Sequence, residues 1–513
     1  MPELTDSTEM FYGASSLVYF SSKLPKLTNA AGMFKECSKL FRFESDLNSL
    51  TTTGDMFAGC SSLAHFKGSL ESVTDGRQMF QYCSSLETFE SDLKNLTTAN
   101  AMFEECSKLK DFNADLSNLK FAQSMFSSCR KLESFDSNLE SLVNGTGMFA
   151  SCDLSKTFAV ENNNLNSLKT GDRMFYVTKF SKEFNCSTNS MTSAEEMFYG
   201  CWYLESLGQD VSLHSLENGR KMFYDTWALE TFDKQIPYLK TADYMFNQSG
   251  VKNFNSNGPT YIGTASYMFQ DSKVETFTSN LPYLRGASNI IAKNMFKGSK
   301  LKDFNAPMPY ITDINDMGLG DCYKTLENFT SDLYSLTAEM TPFKYSSLKT
   351  FSARLDSLRN LSEAFLECRE LESFDSGNGG DCATIGYFTI ANSAFENCFK
   401  LTSFNGNLNR LTSANRMFYC TALPSFNHDL SSLRYGDGMF AYSKLESFDS
   451  NFYNLTSAEG MFRDCKNLTE FKVRDGINLG QYYVYNMFIG STTLKNWDCG
   501  LPNVYDINQI FDT

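Results

Sequence analysis

Cys37, Cys60, Cys83, Cys106, Cys129 and Cys152 follow one another at intervals of 23 residues, and Cys201, Cys368, Cys398 and Cys465 hold the same place later in the chain. A ladder of evenly spaced thiols could close disulfides or hold a row of metal ions. The same column, however, also holds Ala14, Thr226, Ser249, Ser272, Ser299, Ser443 and Ser491, so its common requirement is a small side chain. Free Cys behaves as a small buried hydrophobe, and side chains stacked in parallel suit a disulfide badly. No C-x-x-C pair has zinc spacing, and the total of 15 Cys is odd. The column reads as structural thiols, with no metal and no cofactor.

Other routes to catalysis are as thin. The 3 His, at His65, His214 and His428, are far apart, and no P-loop, dinucleotide fingerprint or H-E-x-x-H is present. "GNGGD" (Gly377 to Asp381) lacks the Lys-Ser/Thr that a phosphate loop needs and reads as a loop. The chain is therefore expected not to be an enzyme.

Short polar side chains also recur. Two rows are expected to point outward from successive strands. One contains Asp136, Asn255, Asn405 and Asp449, the other Asp92, Asp115, Asn257, Asn407 and Asp429. Like charges at strand spacing repel unless solvated or bridged. The rows read either as a solvated face with Asn and Asp ladders or as a polar groove for a glycan, a basic protein segment or calcium. Tyr387, Phe388, Tyr482, Tyr483 and Tyr485 lie in or beside insertions. They are the aromatic candidates for partner contact, against the alternative that they cover a widened turn.

These residues are placed by a phrase of 23 residues, M-F-x-x-C-S-x-L-x-x-F-x-S-x-L-x-x-L-x-x-A-x-x, which recurs about 22 times from Met10 to Ile510. A fixed period of this length is the signature of a solenoid. "LETFESDL" (Leu86 to Leu93) alternates as a short strand, with Phe89, Ser91 and Leu93 on one face. Leu96, Ala99, Met102, Phe103 and Cys106 fall at helical spacing. Thr192 with Glu195, and Thr456 with Glu459, have the spacing of a capping box, which predicts a short helix in each unit. No single unit can bury its own apolar face, so the units must stack. Residues 1–513 are read as one solenoid, with irregular insertions near 153–170, 285–294, 375–393 and 473–486.

The phrase resembles the BspA-like (Treponema pallidum-type) leucine-rich repeat, L-x-x-I-x-I-P-x-x-V-x-x-I-x-x-x-A-F-x-x-C, in a Met-Phe-rich variant. The resemblance implies an α/β leucine-rich-repeat solenoid with a parallel sheet on its concave side and short helices or turns opposite. It also implies a surface protein of adhesion or host recognition, and such repeats occur in phage proteins as well.

The formal charge of -15 is spread without a basic stripe, which argues against nucleic acid as a partner. No apolar run approaches the roughly 18–20 residues of a membrane span, and the N-terminal residues show no classical leader. The first Met-Phe already stands at Met10 and the chain closes on "INQIFDT" in mid-unit. Either end is therefore expected to dock on another chain or on a copy of itself. The favoured function is a non-catalytic recognition or adhesion protein that presents its surface to a protein or glycan on a microbial cell or virion. The alternatives are a structural or decorating subunit of an assembly such as a phage particle, and a cytoplasmic regulator.

Overall fold

The computed structural model describes residues 1–160, 164–180, 182–256, 258, 262–279, 292–377, 387–477 and 485–499. Two compact units, Met1–Ile262 and Gly263–Thr513, divide the chain. Both are stacks of the same turn.

Each turn of the stack contributes one short parallel strand, and the strands pair in Phe-to-Phe register. In the first unit Phe20 faces Phe43, Phe66 faces Phe89, and Phe112, Phe135 and Phe158 follow in line. In the second, six strands from Thr276–Ser279 to Ser403–Asn405 align Phe277, Phe304, Phe329, Phe351, Phe374 and Phe404. The alternation read in "LETFESDL" holds: Thr88 and Glu90 are exposed, while Phe89 turns inward and Leu93 is buried. A single-residue parallel ladder runs beside the strands, as in Thr52, Asp75, Thr98 and Phe121.

The opposite side of each repeat is a turn. Ala99, Ala101, Phe103 and Glu105 donate their N–H groups forward to Phe121, Gln123, Met125 and Ser127 of the next repeat. Met102, Glu104 and Cys106 donate instead to the third residue back. Alternate donors are thus committed between repeats, so an i to i−4 ladder cannot form. The backbone achieves this by entering the left-handed region twice per repeat. Ala101 (φ 54) precedes the Met and Glu105 (φ 60) precedes the Cys, and the same pair of places is left-handed in most described repeats of both units, with exceptions at the repeats of Met317 and Met340. Some copies use Gly there, such as Gly147 (φ 62) and Gly59 (φ 76).

The capping-box expectation is overturned for the same reason. Thr192 Oγ1 donates to the Lys169 carbonyl at 3.3 Å, and the Glu195 N–H is taken by Asp172 Oδ1 at 2.8 Å. Left-handed Glu196 and Gly200 then end any helical run. Among the described residues the helical segments are the 3-10 turns Asn315–Met317 and Leu319–Cys322, in a repeat that lacks the Met-Phe pair.

The core is a set of columns. Leu93, Leu96, Ala99, Met102, Phe103, Cys106 and Leu109 are all inaccessible to solvent. The turn-side Phe rings stack face to face, Phe80 on Phe103 at 5.5 Å and Phe103 on Phe126 at 5.3 Å. Each also meets the strand-side Phe column edge-on, as Phe103 does Phe89 at 4.9 Å. Offset and edge-on contacts are the favourable aromatic geometries.

Candidate functional site

The cysteine column has a specific task. Cys106 Sγ donates to the carbonyl of Phe80 at 3.1 Å, Cys129 to Phe103 at 3.0 Å and Cys201 to Phe175 at 3.0 Å. Where the column is not Cys a hydroxyl can do the same, as Thr178 does to Phe149 at 2.6 Å. Thr226 and Ser272 donate instead within their own repeat, to Phe223 and Phe269, and Ala14 donates nothing, so the column takes a small side chain that is most often a donor. Burial pushes these thiols up, Cys201 to about 12 and Cys368 and Cys465 to about 11. A thiol held protonated is a poor nucleophile and a poor metal ligand. Among the described residues the cysteines are free, and no three His, Cys, Asp or Glu side chains converge to hold a metal ion.

The strand-face rows divide into two kinds. In the second row, Asp92 Oδ1 accepts the Lys94 N–H at 2.9 Å, Asp115 that of Ser117 at 2.9 Å and Asp429 that of Ser431 at 2.9 Å. Asn407 accepts from Asn409 at 3.2 Å. These are Asx turns, in which the side chain opens the tight bend after the strand. The acceptor-rich composition of this row thus has a backbone cause.

In the first row Asp449 is held by Arg474 at 2.7 Å, and Asn405 donates to Asp375 at 2.9 Å. Among the described residues Asp136 and Asn255 point outward with no side-chain partner. Lys67 and Glu90, which stand in the same row on the paired strands His65–Lys67 and Thr88–Glu90, bridge at 3.0 Å.

Tyr387 is half-buried beneath two guanidinium groups, Arg359 at 4.2 Å and Arg410 at 4.4 Å from its ring centre. Phe388 joins the core at 2% exposure. Tyr485 stands exposed. Asn257, Tyr482 and Tyr483 lie outside the described residues, as do large parts of the insertions near 285–294, 375–393 and 473–486.

A further surface feature arises in adjacent repeats of the first unit, outside the long insertions. Trp202 and Trp227 each follow the Cys-column residue of their repeat, and their rings lie 6.2 Å apart at a tilt of 35°. They are 44% and 59% exposed. Both indole N–H groups donate to one carboxylate: Trp202 to Asp225 Oδ2 at 2.9 Å, and Trp227 to Asp225 Oδ1. Asp225 itself is left-handed (φ 60). Exposed Tyr203 adjoins Trp202 in the chain.

A stack of Tyr176, Tyr199 and Tyr224 runs through the same repeats at 4.9 and 4.7 Å. Burial raises the Tyr199 phenol, and the neighbouring Tyr224 and Tyr176 add to this. The same turns carry Glu196, which receives Arg173 at 2.7 Å and Lys221 at 3.1 Å. Burial alone would raise its carboxyl, but these two cations hold it below the ordinary range. A signal for the patch exists in the sequence: two of the 3 Trp occupy one repeat column in adjacent repeats.

The family model for the BspA-type leucine-rich repeat region matches residues 7–133, 69–170, 168–285, 289–392 and 383–495. Among solved structures, a leucine-rich repeat protein from Bacteroides ovatus is 17% identical over 78% of this chain and 81% of its own, with a TM-score of 0.31. A leucine-rich cell surface protein from Faecalibacterium prausnitzii is 15% identical over 75% of this chain and 82% of its own, at 0.29. The TLR13–ssRNA13 complex matches at 13% identity over 93% of this chain and 81% of the other, at 0.24. No curated protein matches. The family rests on the repeat match, which runs through both units and agrees with the Phe, Leu and Cys columns on which they are built: the chain belongs to the BspA-type leucine-rich-repeat family.

Proposed function

We propose that the chain is a non-catalytic recognition and adhesion protein that binds a glycan through the indole patch of its first unit. The leucine-rich-repeat solenoid family is generally non-catalytic, and a binding role is consistent with the fold. Display on a microbial cell or a virion belongs to the same proposal and is supported by the family, whose members are often surface proteins. Among the described residues no helix is long and apolar enough to cross a membrane.

The observation that carries the reading is the pair of exposed indoles tied to Asp225. Their polar edges are occupied, so the electron-rich faces are what they offer to a partner. Aromatic anchors of protein interfaces sit in desolvated pockets. These rings stand on an open, polar surface, which suits the C–H faces of pyranose rings. The uncommitted Asp136 and Asn255 of the strand face are a second, weaker contact surface for the same partner.

The test is binding of the full chain to a glycan array, with Trp fluorescence read on the hits. Trp497, stacked on Phe471 at 4.9 Å, serves as the internal reference. Binding that is lost in Trp227→Ala and in Trp202→Ala is the expected result. Absence of glycan binding, or binding equal to wild type in both variants, would overturn the proposal.

A further inference from the structure

The left-handed place before each Met carries a side chain in most repeats, and these side chains form a column on the turn side. In the second unit the column reads Arg416, Gly438, Gly460 and Asn486, so two successive repeats leave it empty. A β-carbon on Gly438 would meet nothing closer than 3.5 Å, and one on Gly460 nothing closer than 3.6 Å. Ala441 is likewise small in the adjoining column between Tyr419 and Arg463. The result is a cleft of about 300 Å³, at the lower end of small-molecule sites.

Its walls differ in chemistry. At one end Arg416 is spent: its guanidinium lies 3.7 Å from the centre of the Tyr419 ring and is ion-paired with Glu396. At the other end Arg463 lines the cleft and, among the described residues, has no side-chain partner. Asp437 uses Oδ1 for the Ser457 hydroxyl at 2.5 Å and the Glu459 N–H at 2.9 Å, which leaves Oδ2 uncommitted. The Glu459 carboxylate also lines the cleft and has no partner among the described residues. Tyr442, 5.3 Å from Tyr419, presents an exposed ring at the margin.

We propose that this cleft binds an acidic monosaccharide unit, with its carboxylate on Arg463 and its hydroxyls on Asp437 and Glu459. A simple anion is repelled by the two carboxylates, and a simple cation by Arg463. A sugar acid satisfies both, because its charge is at one end and its hydroxyl donors are spread along the ring. Its C–H face covers Tyr442, which the backbone of an amino acid does not. The site is independent of the indole patch, and neither proposal depends on the other.

The test is calorimetric titration of the full chain with glucuronic acid and N-acetylneuraminic acid, with glucose, acetate and glycine as controls. At least one sugar acid binds, and glucose binds about tenfold more weakly or not at all. Arg463→Gln loses about tenfold in affinity. Gly438→Asn fills the cleft and abolishes binding. Asn is already accommodated in this column, left-handed, at Asn486 (φ 57), so this variant keeps the fold. Sugar acids that fail to bind, glucose that binds equally well, or preference for acetate or glycine would each overturn the assignment. So would affinity unchanged by both substitutions.

Discussion

Ala101→Gly is a test by sign. Helical spacing across Leu96 to Cys106 would place Ala101 inside a helix, where Gly costs about 1 kcal/mol relative to Ala. In the structure Ala101 has φ 54 and donates its N–H to Gln123 of the next repeat at 2.8 Å. An L-residue pays about 1–2 kcal/mol in that region. Gly escapes this cost but gives back about 0.5–1 kcal/mol through the greater freedom of its unfolded chain. The substitution should therefore stabilise by a net of up to about 1.5 kcal/mol. With a urea m-value of about 3 kcal/mol/M or more for a chain of this length, the midpoint should rise by up to roughly 0.5 M. The reverse change, Gly147→Ala, should lower it: the new β-carbon meets only Ser124 Oγ at 3.4 Å, so its cost is conformational and not steric. The assay is equilibrium urea unfolding followed by circular dichroism, with both variants beside the parent. A lower midpoint for Ala101→Gly would refute the left-handed turn and restore the helix.

Phe103→Ala removes a fully buried ring stacked on Phe80 and Phe126, and should cost about 3–5 kcal/mol, read as a fall in the same midpoint. Cys106→Ser keeps a donor for the Phe80 carbonyl and should shift stability by less than about 1 kcal/mol, whereas Cys106→Leu overpacks the column and should cost about 1–3 kcal/mol in thermal unfolding. His428 packs against Phe404 at 5.2 Å and Phe426 at 5.1 Å, and burial holds its pKa below the ordinary histidine value of 6.5. The unfolded chain then binds the proton more readily, so this contribution is full above pH 6.5 and declines as the pH falls towards the folded value. His428→Ser, the residue found at the equivalent Ser450, should flatten that part of the profile in melts from pH 7.5 to about 5.

What was legible in the sequence was whatever repeats in kind. The Met-Phe anchor, the alternation around Phe89 and the interchange of Cys with Ser and Thr each mark a buried column, because burial restricts side-chain type. The left-handed places escaped because they restrict the backbone alone. Most of their side chains are not buried, so Glu105, Ser128, Tyr82 and Asp225 stand where Gly59 and Gly200 also serve, and no single residue type marks the place. The spacing of Leu96, Ala99, Met102 and Phe103 fits a helix, but it fits equally a turn whose alternate N–H groups reach the next repeat. The surface features escaped for another reason. The sequence points to aromatic contacts in the long insertions, whereas Trp202 and Trp227 lie outside them, in one column of adjacent repeats, and are brought together only by stacking. The cleft at Gly438 and Gly460 is likewise an omission of side chains, and it becomes visible only when neighbouring repeats are laid side by side.

The hydrogen bonds between repeats run in two senses. On the turn side Phe103 donates forward to Met125, while near the strand Glu87 donates back to Ala64. Within each unit, the bonds among the described residues join a repeat to its immediate neighbours, and none skips a repeat. A gene for such a chain can gain or lose copies by unequal recombination, provided that each event spans a whole period. Excision of Met102 to Ser124 would bring Met125 into the place of Met102 and rebuild the same junction, but removal of one residue fewer would break both ladders at once. Length is thus a heritable variable that changes in discrete steps, and within one unit the distance between two patches that flank the change moves with it.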